Sequence, residues 1–427
     1  MLDLKFILKN MEDVRKNCEN RNIKVDLDEL ARIAGERSAL TEEVENIRMQ
    51  QNQTAKKMKG KLTPEERQEL IKEGSELKAK AAEKDEVLKK LNADLRELQS
   101  KIPNMTHPEA PVGKGEESNR DEYFFMEPTK FDFEPKDHVE LGKSLGILDF
   151  DGGAKVTGQK FYFLKGDGVL LEQALINFAL RTLIEKGFVP HITPDLAKNS
   201  VLFGTGFNPR GSEAQIYSIE NSDMSLIATA EITLAGLYSG EIIPERDLPL
   251  KIAGYSHCFR TEAGAYGKSS KGLYRVHQFS KVEMFAYTKP EQSDEMLQEL
   301  LGIEKEIFAK LKVPYRVIEC CTGDLGGPAY RKYDIEAWMP GREGGSYGEV
   351  TSTSNCTDYQ ARRLNIKYKD DKTKKTELVH TLNGTAIAVS RGIIAVLENY
   401  QQKDGSVIVP EVLRPYMGKD IITPVKK

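Results

Sequence analysis

Between residues 27 and 101 the apolar positions recur three and four apart. Leu30, Ile33, Leu40, Val44, Ile47 and Met58 share one seam with Arg37, Gln51 and Thr54, and a second seam runs through Leu70, Gly74, Leu77, Ala81, Lys84, Leu88, Leu91, Leu95 and Leu98. Between the seams, Thr63-Pro64-Glu65-Glu66 is a helix start: Thr63 can cap, Pro64 loses nothing at the first helical position, and Glu66 can close a capping box. Two helices of similar length joined near Gly60 cover each other's seams only by folding back antiparallel. The pattern therefore predicts an antiparallel coiled-coil arm over 27–101, and at ~1.5 Å per residue about 33 residues make it roughly 50 Å long. Residues 4–20 read as one short helix ahead of the arm, completing an N-terminal domain over 1–103. A linker over 104–117 carries Pro108, Pro111, Gly113 and Gly115. From 118 to 427, helical periods mix with short alternating strands, which predicts an α+β domain. In it a helix from Leu170 to Lys186 leads through Gly187 into a strand ended by Pro194, and the turn-rich stretches Gly204 to Gly211 and Gly341 to Gly345 read as pocket loops.

Charge changes the reading of the arm more than that of the chain. The 427 residues hold 62 Lys or Arg against 66 Asp or Glu, a formal net charge of -4, so no global basic field exists. Residues 27–101 hold 16 basic and 16 acidic side chains and no Trp, Phe, Tyr or Cys, too little to build a globular core. A dimerisation coiled coil gives the same pattern. The feature that favours contact with nucleic-acid phosphates is the cluster Lys56, Lys57, Lys59 and Lys61 at the tip. Nothing approaches the ~18 apolar residues of a membrane span. Asp3 stands where a signal or transit peptide avoids an acid, so a cytoplasmic protein with no membrane partner is expected. The five cysteines, at 18, 258, 320, 321 and 356, include no Cys-x-x-Cys pair, which argues against a disulfide framework or a sequence-local zinc site.

The densest chemistry lies in Ser256 to Glu262, a loop from Ala263 to Gly272, and Leu273 to Glu283. Period two places Arg260 and Glu262 on a face of one strand and Arg275, Phe279 and Glu283 on a face of the next. A hairpin joining them suits a nucleoside triphosphate: guanidinium groups hold phosphate oxygens, the ring stacks on a base, and a carboxylate accepts an amino proton. A half-exposed hairpin with cross-strand ion pairs fits the same residues. Further along, Arg391 sits in a strand-to-helix passage of small residues, and Glu349 stands among hydroxyl residues, a hard-ligand set for Mg²⁺. Thr229-Ala230-Glu231 sets a hydroxyl and a carboxylate two apart, on one face if the segment is a strand, able to take an ammonium group. The chain has no Gly-x-x-x-x-Gly-Lys-Ser/Thr loop, so a nucleotide must bind on a sheet through side chains.

Taken together these stretches resemble the bacterial-type seryl-tRNA synthetases, class II aminoacyl-tRNA synthetases, from end to end. Met1-Leu-Asp-Leu-Lys-Phe6 and the arm match the family's beginning, Gly187 to Pro194 resembles motif 1, Phe259 to Glu283 motif 2, Asn383 to Arg391 motif 3, and Pro410 to Met417 the usual ending. The resemblance implies a class II antiparallel sheet flanked by helices behind the arm. It also implies roles. Arg260 would hold the α-phosphate, Glu262 the adenine amino group, and Phe279 would stack on adenine opposite Arg391. Arg275 and Arg391 would engage the γ-phosphate, making Arg260, Arg275 and Arg391 the catalytic set. Thr261, Val350 and Thr351 fall in the ATP-binding stretches, Glu349 and Ser352 would ligate Mg²⁺, and Thr229, Ala230, Glu231, Glu283, Asn383 and Thr385 would surround L-serine. Ala386 and Ser390 stand where motif 3 usually has glycine. The partners implied are ATP, Mg²⁺, L-serine, serine tRNA on the arm, and a second copy of the chain through the motif 1 region around Pro194. Whether selenocysteine tRNA is a further acceptor stays open. Two alternatives share parts of this pattern. A ligase charging a carrier protein would lack the arm and carry a cysteine-based zinc site. An RNA-binding paralogue without catalysis should have lost Arg260, Glu262 or Arg391, and all three are present.

Overall fold

The computed structural model describes residues 1–207, 215–262 and 271–425 and divides into two units, Met1–Pro103 and Asn104–Lys427. In the first unit, α1 (Leu4–Lys9) and α2 (Met11–Asn20) replace the single helix expected over 4–20. The break is at Asn10, whose backbone (φ -123°, ψ 40°) leaves the helical region while its side-chain amide donates to the carbonyl of Phe6. The arm itself is α3 (Leu27–Lys57) and α4 (Pro64–Lys101), packed against each other with every seam position buried or half-buried. The capping box forms as the residue types dictate: Thr63 Oγ1 accepts from the Glu66 amide at 3.2 Å, and Glu66 Oε2 accepts from the Thr63 amide at 2.8 Å. Arg48–Asp85 (2.9 Å) and Lys84–Glu43 (2.8 Å) cross between the helices, exposed pairs that set register more than stability. At its base the arm has a small core of Leu2, Ile7, Val14, Leu27, Leu30 and Leu95, tied by Gln99 Nε2 to the carbonyl of Leu2 at 2.8 Å.

The second unit is built on an eight-stranded sheet: β1 (Arg120–Phe125), β2 (Val189–Ile192), β3 (Leu250–Phe259), β4 (Gln278–Thr288), β5 (Tyr315–Glu319), β6 (Arg331–Met339), β7 (Ser346–Asn355) and β8 (His380–Ala388), in the spatial order β1-β5-β6-β7-β8-β4-β3-β2. All pairs are antiparallel except β2 with β3. Three helices, α5 (Asp167–Glu185), α7 (Ser293–Lys310) and α8 (Val389–Tyr400), bury Leu171, Leu175, Leu300, Ile307, Ile393 and Val396 in one continuous core against the sheet. A short helix, α6 (Ala230–Gly236), packs on β3 and β4. This is the expected α+β architecture, an antiparallel sheet flanked by helices. The segment read as a linker is hydrogen-bonded into this unit: Asn104 is buried, its side-chain amide donating to the carbonyls of Pro328 and Cys356, and Gly113 pairs with Thr322 and Gly323. Of the expected pocket loops, residues 208–211 and the motif 2 loop from Ala263 to 270 lie outside the described residues. Among the described residues no helix is long and apolar enough to cross a membrane, and no disulfide joins the five buried cysteines.

Candidate active site

Strand alternation prepares the site. Along β4, Phe279, Lys281 and Glu283 face a cavity while Val282 and Met284 join the core. Glu283 pairs across the sheet with Thr385 of β8, which explains how residues 102 apart meet: Thr385 Oγ1 lies 3.2 Å from Glu283 Oε2. The cavity encloses about 400 Å³.

Two strands carry an extra residue at the cavity. Pairing of β6 with β7 shifts between Ile335 and Glu336, so Val350 is the bulged residue; it joins the core, and Glu349 and Ser352, three apart, both reach the cavity. Pairing of β8 with β4 shifts between Thr385 and Ile387, leaving Ala386 as the extra residue. Its methyl is buried in the core and not in the cavity, whereas Ser390 does line the cavity. Thus only one of the two departures from glycine touches the site.

At the other end β3 stops at Phe259, so Arg260 and Glu262 are not on a strand face as period two suggests. They follow the end of β3, with Glu262 in the left-handed region (φ 51°), a conformation uncommon for a residue with a Cβ. Arg275 likewise precedes β4. The side chains still converge: Arg260 lies over the Phe279 ring at 5.3 Å, and Arg275 Nη1 is 3.3 Å from Glu262 Oε2. Arg275 Nε is buried with no hydrogen-bond partner among the described residues, a donor aimed where an acceptor is wanted. Arg391, at the start of α8, lies 4.7 Å over the ring of Tyr274, and its Nη1 meets the carbonyl (3.0 Å) and Oε2 (3.3 Å) of Glu349. Burial disfavours the charge on Glu349, but Arg391, Lys332 and Arg260 outweigh it and hold the carboxyl below its usual range. An ionised carboxylate and the Ser352 hydroxyl on the wall of one cavity are a hard oxygen set that fits Mg²⁺.

Thr229 and Glu231 also face the cavity, but not from a strand. Thr229 caps α6, its hydroxyl accepting from the Glu231 amide at 3.2 Å, and Glu231 sits in the first turn. Residues two apart satisfy both geometries, so the three-residue stretch did not separate them. Burial, then repulsion from Glu283, pushes the Glu231 carboxyl up to about 7. Gln360 Nε2 holds its Oε1 at 2.7 Å and is itself fixed by Thr381, which donates to Gln360 Oε1 at 2.8 Å.

Of the residues expected from the sequence, Thr229, Glu231, Arg260, Glu262, Arg275, Phe279, Glu283, Glu349, Val350, Thr351, Ser352, Asn383, Thr385 and Arg391 line one cavity. Ala230 instead packs into a core cluster, and the Thr261 amide bonds the carbonyl of Gln215. Sequence reasoning missed Lys281, Tyr274 and Gln360. Lys281 was legible, since it falls on the same period-two face as Phe279 and Glu283; nothing local marks Gln360. Cys320, Asp324 and Asp334 also come within 4.8 Å of one another. That cluster already holds a cation, because Lys332 Nζ lies 3.2 Å from Asp334 and 3.7 Å from Asp324.

Comparison with known proteins gives consistent matches. Residues 1–106 match the seryl-tRNA synthetase N-terminal domain, and residues 216–400 the class II tRNA synthetase core domain (G, H, P, S and T). The chain is 58% identical over 427 residues to the serine–tRNA ligase of Rubrobacter xylanophilus, spanning the whole of both proteins. It is 57% identical over 422 residues to that of Treponema denticola, covering 99% of this chain and 100% of that protein. Among solved structures, seryl-tRNA synthetase from Pyrococcus horikoshii complexed with ATP aligns with a TM-score of 0.90 at 41% identity over 100% of both chains. The cytoplasmic serine–tRNA ligase of Naegleria fowleri in complex with AMP aligns at 0.84 and 32% identity, over 100% of this chain and 99% of that one.

Proposed function

The chain belongs to the seryl-tRNA synthetase family and is an ATP-dependent serine–tRNA ligase, and from that premise we propose how its cavity divides the work. The observation that carries the reading is a buried acidic subsite, Glu231, Glu283 and Thr385, lying beside the arginine and aromatic set of Arg260, Phe279 and Arg391. One end takes an amino acid with a side-chain hydroxyl, the other a nucleoside triphosphate.

The serine ammonium sits against Glu231, Glu283 and the Thr229 hydroxyl. Its carboxylate, already ionised at neutral pH, attacks the α-phosphorus; the bond to the β-phosphate oxygen breaks and pyrophosphate leaves, so no protein base is needed. Arg260 receives the charge that develops on the α-phosphate, and Arg275, freed from Glu262 by the adenine amino group, joins Arg391 on the departing phosphates. Glu349 and Ser352 would hold Mg²⁺, which supplies charge neutralisation between phosphates when bound. Catalysis is then positioning plus electrostatics. In the second step the terminal ribose hydroxyl of the tRNA attacks the seryl carbonyl, the bond from that carbonyl to the phosphate oxygen breaks, and AMP leaves with its phosphate taking up the hydroxyl proton. The arm of residues 27–101 presents serine tRNA to the site. A homodimer forms through the region ending at Pro194, a reading supported by β2 being an edge strand with Val189 and Ile192 exposed.

ATP–pyrophosphate exchange measured across the amino acids tests the reading: serine should support exchange far above alanine and threonine. Equal exchange with alanine would refute the assignment of the acidic subsite.

A further inference from the structure

Lys281 is a charged group beside Glu283 and Thr385 to which this reading gives no task. It lies between Phe279 and Glu283 on the cavity face of β4. Its Nζ is 2.5 Å from Glu283 Oε2 and 3.4 Å from Thr385 Oγ1, and the three side chains are all buried. An ammonium here repels the ammonium of every amino acid that enters, a cost that an uncharged residue would avoid. Hydrogen-bond accounting shows what is gained. A lysine only donates and an ionised carboxylate only accepts, so the Thr385 hydroxyl must accept from Lys281 and donate to Glu283. One lone pair of Thr385 and the remaining lone pairs of Glu283 are what the subsite can then offer a ligand. Both groups face it as acceptors.

We propose that Lys281 is the positioning residue that sets selectivity in this subsite: by pinning the Thr385 proton toward Glu283, it obliges the ligand's side chain to donate a hydrogen bond, which serine can do and alanine cannot. The inference rests on the serine–tRNA ligase reading above. The same ammonium sets the charge of the subsite. Glu283 disfavours the charge on Glu231, and Lys281 offsets part of that repulsion. The ionisable groups acting on Glu231 are Glu283, which raises its pKa, and Lys281 and Arg260, which lower it, alongside the neutral amide of Gln360. Around Lys281 and Glu283 are also the Cys258 thiol, pushed up by burial, and Glu304 behind the sheet, pushed well up by burial. Removing Lys281 therefore raises the pH at which Glu231 ionises.

The test is ATP–pyrophosphate exchange by the full chain with serine and with alanine, from pH 6 to 8.5. Loss of a buried hydrogen-bond arrangement predicts that Lys281→Met raises the serine KM about tenfold at pH 7 and lowers the serine-over-alanine preference about tenfold, with kcat and the ATP KM within about threefold. Lys281→Gln keeps a donor but not the charge. It should retain more of the serine preference than the methionine variant, while both move the acid limb of serine kcat/KM to higher pH. A merely structural role would raise KM equally for serine and alanine and leave that limb in place, and this result overturns the proposal. Should the methionine variant not fold, the position of the limb in Lys281→Gln decides alone. No serine-dependent exchange by the unmodified chain would instead overturn the functional reading, and the inference with it.

Discussion

The tip of the arm offers the sharpest test of how this chain meets tRNA. Lys56 and Lys57 end α3, Lys59 and Lys61 follow in the turn, and all four are exposed. They do not stand alone, because the fold brings Glu66, Glu69, Glu73 and Glu76 of α4 into the groove that Lys57 lines. Lys57 should therefore contribute least, leaving Lys56, Lys59 and Lys61 as the phosphate contacts. Each phosphate neutralised adds about 0.7–0.9 to the slope of log affinity against log salt, so losing three contacts flattens it by about 2–3. Between 50 and 200 mM salt, a fourfold change, the unmodified chain should lose about 20–60-fold more affinity for serine tRNA than a variant with all four lysines changed to glutamine. Glutamine keeps the helix propensity of lysine, so the arm should remain folded. Fluorescence anisotropy with labelled tRNA over a salt series measures both slopes, and serine-dependent pyrophosphate exchange, which the proposed reading assigns to residues of the second unit, should not change. Parallel salt lines for the two proteins would refute the tip as a phosphate contact and place the binding on the flanks of α3 and α4.

Deleting residues 27–101 across a short Gly/Ser linker should leave serine activation nearly intact and abolish aminoacylation; loss of both together with monomer formation in sedimentation would mean that the arm is a dimerisation element. Arg260→Ala should lower serine-dependent exchange by orders of magnitude in a folded protein, and a loss of only a few-fold would refute its role at the α-phosphate. Thr385→Val, near-isosteric at a buried position, removes the hydroxyl's proposed hydrogen bond to the serine side chain, worth about 1–3 kcal/mol, along with its contacts to Lys281 and Glu283, so the serine KM should rise about 5–150-fold with less effect on alanine; equal losses would show that the hydroxyl is read elsewhere. Glu231, raised from 4.5 to about 7, binds a proton more readily in the folded than in the unfolded chain. Its contribution to stability is present below the unfolded value and is lost as pH rises through about 7. A serine ammonium favours the ionised form, so the Tm gain from serine should grow between pH 6 and 8, and Glu231→Gln should abolish that growth; a pH-independent gain in the unmodified chain would refute the pairing.

Some of this protein is determined by the sequence alone. The seams of the arm predict its two helices, with ends at residues 27 and 101, and Thr63-Pro64-Glu65-Glu66 dictates the capping box, because helical period and capping are set within a few residues. The period-two face of β4 is local in the same way, and it contains Lys281 as plainly as Phe279 and Glu283. Other features depended on chain brought from far away. The stretch Thr229-Ala230-Glu231 is too short to tell strand from helix start, and packing against β3 and β4 resolved it as the N-terminus of α6. Bulges at Val350 and Ala386 are shifts of pairing against a partner strand, so no pattern within either strand reveals them. Gln360 reaches Glu231 across 129 residues, and the acids beside Lys57 arrive only when α4 folds back on α3. Periodicity fixes which way a side chain points, whereas its neighbours, and therefore its charge state and hydrogen-bond roles, are set by tertiary contacts between segments distant in sequence.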